Sequence, residues 1–317
     1  MVEEIDVSVV VPLYNEEGNV RELYNELKTV FTEAKINHEL VFINDGSTDS
    51  TGEILQELHK NDQCVTAVNF RRNFGQTAAM SAGFDYARGE IIVTMDGDLQ
   101  NDPADIPRLL EKLSMGYDVV TGWRHDRKDP FVSRKLPSMI ANKIISYITG
   151  VFLHDYGCTL KAFRREITDQ IKLYGEMHRF IPPIVSGMGA TIAEVKVNHR
   201  PRKHGTSKYG ISRTIRVILD LITVKFLLSY SGRPLHVFGM IGLLTFFFGS
   251  FLLVFLGIQR QFYGIPMGDR PLLMMAVLLV FIGIQFVTIG LISEIQVRTY
   301  HESQNKPIYF VKNVLRD

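Results

Sequence analysis

The chain has 317 residues, which is enough for one large domain or two smaller ones. Its 35 Lys and Arg residues balance 34 Asp and Glu residues, so a net charge of +1 argues against bulk attraction to nucleic acid. Two cysteines far apart in sequence, Cys64 and Cys158, fit a reduced compartment without a disulfide framework. The acidic N-terminus does not resemble a signal peptide, and we expect the first domain to lie in the cytosol.

The first 125 residues alternate between short apolar runs and longer amphipathic stretches. The predicted strands are Val7–Leu13, Glu39–Ile43, Val65–Phe70, Ile91–Met95 and Tyr117–Thr121. The predicted helices are Asn19–Ala34, Asp49–Lys60, Gln76–Ala87 and Pro103–Ser114. This alternation predicts an α/β fold with a doubly wound, mostly parallel sheet and right-handed crossovers. Later in the chain we expect a helix at Ser138–Gly150, a turn at Asp155–Cys158 and a strand at Ile192–Val197.

Polar residues follow the predicted strands at their carboxyl ends, the edge where doubly wound sheets bind ligands. These are Asn15-Glu16, Asp45-Gly46, Arg71-Arg72-Asn73 and Asp96-Gly97-Asp98. Asp45 can accept a hydrogen bond from a nucleotide base or a ribose. Alternatively, Asn15 and Asp45 are ordinary helix caps. The sequence therefore predicts a binding site at this edge and leaves the roles of these two residues open.

The acidic motif Asp96-Gly97-Asp98-Leu99-Gln100 ends the fourth predicted strand. Hard divalent cations take oxygen ligands and commonly bridge phosphates. The two carboxylates can share a metal, or one can hold it while the other binds ribose, and Gln100 adds a neutral oxygen. The alternative is a solvated turn before the helix that starts at Pro103. The place of the motif after a strand of an alternating fold favours the metal site.

Two stretches near the C-terminus, Val237–Ile258 and Leu272–Ser293, contain no Asp, Glu, Lys, Arg or His. Each has 22 residues, and about 20 suffice to cross a bilayer. Two buried core helices are the alternative. Basic residues precede the first stretch and follow the second, so the positive-inside bias predicts a multi-pass protein of the cell membrane with both ends in the cytosol.

The segment Ile211–Tyr230 has apolar residues at helical spacing with Arg213, Arg216 and Lys225 between them. That pattern is typical of a helix in the membrane interface, although an amphipathic helix packed on the domain alone would look the same. The predicted regions are a cytosolic catalytic domain, a juxtamembrane helix, two spans and a cytosolic tail. Their boundaries are 1–210, 211–232, 233–297 and 298–317.

Four motifs resemble those of the family-two inverting glycosyltransferases of GT-A fold. They are Val-Pro-Leu-Tyr-Asn-Glu at 11–16, Asn-Asp-Gly-Ser-Thr-Asp at 44–49, Asn-Phe-Gly-Gln at 73–76 and Met-Asp-Gly-Asp-Leu-Gln at 95–100. The Asp-Tyr-Gly-Cys at 155–158, the Gly-Thr-Ser-Lys-Tyr at 205–209 and the two following spans narrow the resemblance to polyprenyl-phosphate glycosyltransferases. That group includes dolichyl-phosphate mannose synthase, bactoprenyl glucosyltransferases and the undecaprenyl-phosphate formamido-arabinose transferase. The resemblance covers nearly the whole chain, and its specificity lies in the ordered series of motifs.

The resemblance implies a Rossmann-like GT-A domain that transfers a sugar from a UDP-sugar to a polyprenyl (undecaprenyl) phosphate on the cytosolic leaflet, with Mg²⁺ or Mn²⁺. The implied nucleotide-binding residues are Pro12, Tyr14, Glu16, Asp45, Asp96, Arg202 and Lys208. The implied metal ligands are Asp96, Asp98 and Gln100. The implied acceptor-phosphate residues are Arg124 with Arg134 or Lys135. Asp98, Arg124 and Asp155 are expected to carry catalysis, with Asp155 in the position of a candidate base.

The chemistry of the acceptor argues against a strong base. A phosphate monoester has a second pKa of about 6 and is largely dianionic at neutral pH, so we expect Asp155 to orient the acceptor or a sugar hydroxyl rather than to abstract a proton. Glucose is the expected donor sugar, with glucuronic acid, N-acetylglucosamine and formamido-arabinose as alternatives. A homo-oligomer, with a tetramer as one form, is a further expectation from the resemblance.

Two other functions compete with this one. A processive polysaccharide synthase is disfavoured because the Gln-x-x-Arg-Trp motif of cellulose- and chitin-synthase relatives is absent and Trp123 is the sole tryptophan. A non-catalytic transport subunit with a sugar-nucleotide sensor domain is disfavoured by the complete Asp96, Asp98 and Gln100 set.

Overall fold

The computed structural model describes residues 5–125, 142–143, 145–147, 149–171, 173, 177–201, 234–266, 270–303 and 309–316. The chain divides into two compact units, Met1–Val224 with Pro307–Asp317, and Lys225–Lys306. Several predictions fall outside the described residues. These are the acceptor candidates Arg134 and Lys135, the loop residues Arg202 and Lys208, and the interfacial helix Ile211–Tyr230.

The first unit is built on an eight-stranded sheet in the order β7-β5-β6-β4-β1-β2-β3-β8. The strands are β1 Val7–Leu13, β2 His38–Asn44, β3 Val65–Phe70, β4 Ile91–Thr94, β5 Val119–Trp123, β6 Lys161–Arg164, β7 Ile192–Lys196 and β8 Val311–Leu315. The pairs β1–β2, β1–β4, β2–β3 and β5–β7 are parallel, whereas β6 and β8 run antiparallel to their neighbours. The predicted α/β fold with a mostly parallel sheet is confirmed.

The helices of this unit lie between the strands. Those whose bounds lie within the described residues are α1 Val20–Ala34, α2 Thr51–Asn61, α3 Gln76–Tyr86, α4 Ile106–Ser114, α5 Arg165–Thr168 and α6 Ile181–Gly187, with 3-10 turns at Pro103–Asp105 and Met177–Phe180. The amphipathic pattern explains their packing, since α1 buries Leu23, Leu27 and Phe31 on one face. The central strand β1 is paired on both sides, and its apolar residues are almost fully buried.

One strand was not predicted from the sequence. It is β6, a four-residue strand, Lys161–Arg164, which lies between β4 and β5 and has a charged residue at each end. From the sequence we also expect a short strand after Pro307, at 306–311; residues 306–308 lie outside the described part of the chain, and the described strand of the tail is Val311–Leu315, which pairs with β3 of the same chain. Both strands are specified by their partners in the sheet rather than by local propensity.

The second unit contains two long helices, α7 Pro234–Tyr263 and α8 Pro271–Ser303, of 30 and 33 residues. Each includes one predicted span. Within them, Phe238–Tyr263 and Pro271–Ser293 are long and apolar enough to cross a membrane. Only 17% and 11% of their most apolar windows are buried inside the protein, which argues against two core helices of a soluble domain. The helices approach closely at Gly242 and Gly283, where a Cβ on Gly242 would lie 2.7 Å from the carbonyl oxygen of Gly283.

The position of α3 on the sheet depends on Gly83, where an added Cβ would clash with Cγ1 of the fully buried Val10. We expect Gly83→Ala to destabilise the protein by about 1–3 kcal/mol, the usual cost of overpacking a core. The measurement is Tm in detergent, with Ser81→Ala in the same helix as the control. An unchanged Tm in Gly83→Ala would contradict this packing.

Candidate active site

The carboxyl ends of β1 and β2 are joined by hydrogen bonds between the loops that follow them. The Asn15 amide donates to Ser47 Oγ (2.9 Å), and the Thr48 amide donates to Asn15 Oδ1 (2.8 Å). Asn15 adopts a left-handed conformation, with φ of 55°. This turn carries three predicted nucleotide-binding residues at the edge of the sheet, all partly exposed: Pro12, Tyr14 and Glu16. The carboxylate of Glu16 accepts a hydrogen bond from Asn19 Nδ2 at 2.6 Å.

Asp45, at the end of β2, is 3% exposed and holds the loop Arg71–Gly75, which we call the 71–75 loop. Its two carboxylate oxygens accept from the backbone amides of Phe74 (2.6 Å) and Gly75 (2.9 Å). Burial raises the pKa of Asp45, and these two hydrogen bonds oppose the rise. Gly46, with φ of 68°, leaves room for this loop, because a Cβ there would clash with the backbone of Arg72.

The acidic motif lies beside the end of β1. Gly97 permits this contact, since an added Cβ would clash with the side chain of Leu13. Leu99 is buried in the core with a left-handed φ of 61°, a strained conformation that fixes the turn between Asp98 and Gln100. The backbone amide of Gln100 donates to Asp98 Oδ1 at 3.1 Å.

The Asp96 carboxylate accepts a hydrogen bond from Gln76 and is repelled by the negative charge of Asp98. Gln76 Nε2 donates to Asp96 Oδ1 at 2.7 Å, and the nearby Thr159 side chain lowers the pKa of the same carboxylate. Burial, together with the negative charge of Asp98, raises the pKa of Asp96 to about 6. This repulsion between paired carboxylates is the situation that a bound cation relieves.

The donor set suits a hard divalent cation. Two carboxylates and the side-chain oxygen of Gln100 are oxygen ligands of the kind that Mg²⁺ and Mn²⁺ prefer. Among the residues that the structure describes, no third His, Cys, Asp or Glu joins the pair. The site therefore fits an ion that completes its coordination with phosphate oxygens or water, rather than a closed structural metal site.

Arg124 and Asp155 form a buried bidentate ion pair. Arg124 Nε donates to Asp155 Oδ2 (2.7 Å), and an Arg124 terminal nitrogen donates to Oδ1 (2.9 Å). The Gly157 amide also donates to Oδ1 at 3.0 Å, and a Cβ on Gly157 would crowd the guanidinium. The carboxylate raises the pKa of Arg124 further above its ordinary value, although burial opposes the rise. Asp155 is thus a partner of a cation in this structure, which favours an orienting role over that of a base.

The turn that carries Asp155 is fastened to the acidic motif through Thr159. Thr94 Oγ1 donates to the Thr159 carbonyl and Asn101 Nδ2 donates to Thr159 Oγ1, both at 2.8 Å. The positive charge of Arg124 partly opposes the rise in the pKa of Asp96, so the two groups interact. The structure therefore brings the predicted donor side and the predicted acceptor side together at one edge of the sheet.

Two residues that shape this site, Gln76 and Lys161, were assigned no role from the sequence. Gln76 was part of a quoted motif but was assigned no role. Lys161 is 2% exposed, donates to the Cys158 carbonyl, and has its pKa lowered by burial. His178 Nδ1 bonds the Thr77 hydroxyl at 2.8 Å in the interior. The sequence shows Lys161 as a charged residue within a short apolar stretch. Its burial could be recognised only from the pairing of β6 with β4 and β5.

The residues before Arg202 are tied to the acidic motif. The Arg200 amide donates to the Gln100 carbonyl at 2.9 Å, and the Arg200 side chain pairs with Glu26 and Asp102, each at 2.7 Å. The segment that contains Arg202 and Lys208 therefore starts next to Gln100, although those two residues lie beyond the described part of the chain.

Comparison with known proteins identifies the family of the chain. The model of glycosyl transferase family 2 matches residues 8–172. The dodecaprenyl-phosphate galacturonate synthase of Rhizobium johnstonii is 45% identical over 100% of this chain and 95% of its own length. The undecaprenyl-phosphate 4-deoxy-4-formamido-L-arabinose transferase of Pseudomonas paraeruginosa is 38% identical over 98% of this chain and 90% of its own length.

A solved structure supports the fold. The glucosyl-3-phosphoglycerate synthase of Mycobacterium tuberculosis, in complex with Mn²⁺, UDP and phosphoglyceric acid, superposes with a TM-score of 0.55 at 17% identity. The match covers 71% of this chain and 78% of that one. It shows that the first unit has a GT-A-like fold.

The fold and the family match together define a glycosyltransferase, and the chain belongs to glycosyl transferase family 2. Within that family its near full-length relatives place it among the polyprenyl-phosphate glycosyltransferases. The resemblance inferred from the ordered motifs is confirmed.

The buried His178 generates a pH prediction. Burial, aided by the charges of Arg179 and Lys161, lowers the pKa of His178 to about 3. The unfolded chain, with an ordinary His pKa of about 6.5, binds the proton more readily, so this group makes stability fall as pH drops below that value. Between pH 7 and 5 we expect a loss of about 2 kcal/mol from His178 alone.

The measurement compares unfolding of the wild type and His178→Asn in detergent at pH 7 and pH 5. The contribution of Asp96 has the opposite sign and cancels, since it is common to both proteins. We expect the wild type to lose more stability than the variant on acidification. Parallel losses would contradict the assignment of a buried neutral imidazole.

Proposed function

We propose that the protein transfers a sugar from a UDP-sugar to a polyprenyl phosphate at the membrane surface, with the aid of a divalent metal ion. The observation that carries the proposal is the convergence of the Asp96–Asp98 pair and the Arg124–Asp155 ion pair on loops joined through Thr159. One group is suited to a metal-bound diphosphate and the other to an acceptor phosphate. The two apolar helices supply the means to work on a lipid.

On the donor side, Asp96, Asp98 and Gln100 would hold the cation, which when bound offsets the negative charge on the departing diphosphate. Gln76 holds the Asp96 carboxylate in place through its hydrogen bond. In this proposal Pro12, Tyr14 and Glu16 line the uridine pocket, and Asp45 acts there as well as anchoring the 71–75 loop. Arg202 and Lys208 would bind the diphosphate, the role that the resemblance implies for them.

On the acceptor side, Arg124 binds the lipid phosphate with Arg134 or Lys135. The attacking oxygen carries its negative charge already, because the second pKa of a phosphate monoester is about 6. Positioning of that oxygen opposite the leaving group is then the main demand on the protein. Asp155 meets this demand by fixing the guanidinium of Arg124 through two hydrogen bonds.

The donor sugar is the finer part of the proposal. Glucose was the expectation from the sequence. The relative with 45% identity is named for galacturonate, and the relatives with 38% identity for 4-deoxy-4-formamido-L-arabinose. We therefore place UDP-galacturonic acid first, the formamido-arabinose donor second and UDP-glucose third.

The membrane arrangement belongs to the same proposal. The catalytic unit and both termini lie in the cytosol, at the inner membrane, with α7 and α8 as the spans. Basic residues outside the two apolar helices support this orientation. We retain a homo-oligomer, with a tetramer as one form, as the proposed assembly.

A donor screen tests the reaction. Purified protein is incubated with undecaprenyl phosphate, Mg²⁺ or Mn²⁺ and a panel of UDP- and GDP-sugars, and both nucleoside diphosphate and lipid-linked sugar are measured. We expect turnover with one UDP-sugar, dependent on metal and lipid phosphate. Asp98→Asn should lower the rate by at least about 10²-fold, as the loss of a group that stabilises developing charge does.

The control variant is Glu111→Gln, an exposed carboxylate on α4. It should match the wild type. UDP binding without turnover on any donor would instead favour the non-catalytic sensor subunit. Polymeric product without lipid phosphate would favour the processive synthase.

The role of Asp155 is tested by Asp155→Asn. We expect kcat/KM to fall by less than about 10⁴-fold, the upper range for loss of a general base, with a raised KM for the lipid phosphate. The acid limb of the pH–rate profile, which reflects the phosphate, should persist in the variant. Disappearance of that limb, or a larger loss with an unchanged KM, would show that Asp155 is the base.

A further inference from the structure

The last described segment of the chain, residues 309–316, returns to the sheet of the first unit. Its strand β8 pairs antiparallel with β3, with Val314 opposite Val68 and Val311 opposite Phe70. The register shifts between Asn69 and Phe70, just before the 71–75 loop begins. The tail therefore covers an edge of the sheet at the point where this loop leaves it.

Two aromatic residues at the start of this segment contact the loop and its base. The ring of Tyr309 stacks on Phe70 with a centroid distance of 5.1 Å, and its hydroxyl donates to Asp85 Oδ2 at 2.7 Å. The carbonyl of Phe310 accepts from the Arg71 amide at 3.1 Å. The ring of Phe310 lies 6.0 Å from that of Phe74, within the range of aromatic pairs.

The other side of the same loop faces the candidate active site. The amides of Phe74 and Gly75 donate to the carboxylate of Asp45, and the next residue, Gln76, donates to Asp96. The loop thus has one hydrogen-bonded face toward the site and one aromatic face toward the tail. Phe74 takes part in both faces, through its backbone and its ring.

The exposure of the two aromatics differs. Tyr309 is 7% exposed and belongs to the core, whereas Phe310 is 67% exposed. Truncating Phe310 removes little buried area from the core, so a general stability role does not account for this side chain. Its described ring contact is with Phe74.

We propose that Tyr309 and Phe310 are positioning residues for the donor nucleotide: they hold the 71–75 loop so that Asp45 and Gln76 keep their places at the site. The inference rests on the proposed function, since it assigns the loop to the nucleotide subsite. A loop held from both faces needs less ordering when UDP binds, so the tail acts on nucleotide affinity rather than on the transfer step.

The test compares Phe310→Ala with Phe310→Tyr, which keeps the ring, and with Lys312→Ala, an exposed position on β8. For each full-length protein in detergent, UDP affinity is measured with Mn²⁺ present, together with donor KM and kcat. Hydrogen exchange is followed in peptides covering residues 70–76. We expect Phe310→Ala to raise the UDP Kd and donor KM about three- to tenfold, the range expected for an aromatic pair, with kcat at saturating donor within about twofold of the wild type.

In the same variant the exchange of the Phe74 and Gly75 amides should accelerate, while Phe310→Tyr and Lys312→Ala behave like the wild type. Tyr309→Phe, which loses only the bond to Asp85, should show a smaller change in the same direction. An unchanged UDP Kd in Phe310→Ala, or a loss of kcat with an unchanged Kd, would overturn the inference. So would unaltered exchange at residues 70–76.

The experiment separates this inference from the proposed function. A wild type that binds no UDP would contradict the proposed function and the assignment of the loop to a nucleotide subsite. Tight UDP binding in the wild type, with Phe310→Ala indistinguishable from it, would leave the proposed function standing and remove only the role of the tail.

Discussion

The site depends on the close approach of backbone segments at the carboxyl ends of β1, β2 and β4. Gly46 lets the 71–75 loop lie against the end of β2, and Gly97 lets the acidic motif lie against the end of β1. Parallel pairing of the three strands puts these ends on one edge of the sheet. Asp45, Gln76 and the acidic pair, which are spread over residues 45–98 of the sequence, thereby lie at one edge of the sheet.

The charges at this edge are arranged in two groups. The negative charges of Asp96 and Asp98 are not fully neutralised by nearby cations, and the pKa of Asp96 is raised as a result. Arg124, by contrast, forms an ion pair with Asp155. A cation with a diphosphate fits the first group, and a phosphate monoester that needs orientation more than deprotonation fits the second. The neutral His178 and the buried Lys161 lie in the interior behind them. A buried ion pair of this kind fixes the orientation of the guanidinium but contributes little to the free energy of unfolding.

The sequence predicted the parts of the molecule that follow local rules. Val7–Leu13 and Val65–Phe70 were placed at their observed bounds because each is a continuous β-rich run between polar turns. The acidic motif was found because chemistry-bearing residues stood at a strand end. The strand Lys161–Arg164, the partnership of Arg124 with Asp155 and the return of the tail to β3 were not predictable, since each is fixed by residues distant in sequence. The identity of the donor sugar could not be predicted either, because its pocket is formed by loops that are distant in sequence.

Binding of Mn²⁺ to the purified protein, followed by electron paramagnetic resonance with and without UDP, tests whether the acidic pair and the diphosphate hold a metal ion together. The described acidic pair offers two carboxylates and no third, so we expect UDP to strengthen Mn²⁺ binding by about tenfold or more, a coupling of ordinary size between two ligands. Asp96→Asn should abolish this enhancement. Equal Mn²⁺ affinity with and without UDP, or UDP binding that is undiminished when the metal is chelated, would contradict the claim that the acidic pair and the diphosphate hold the metal together.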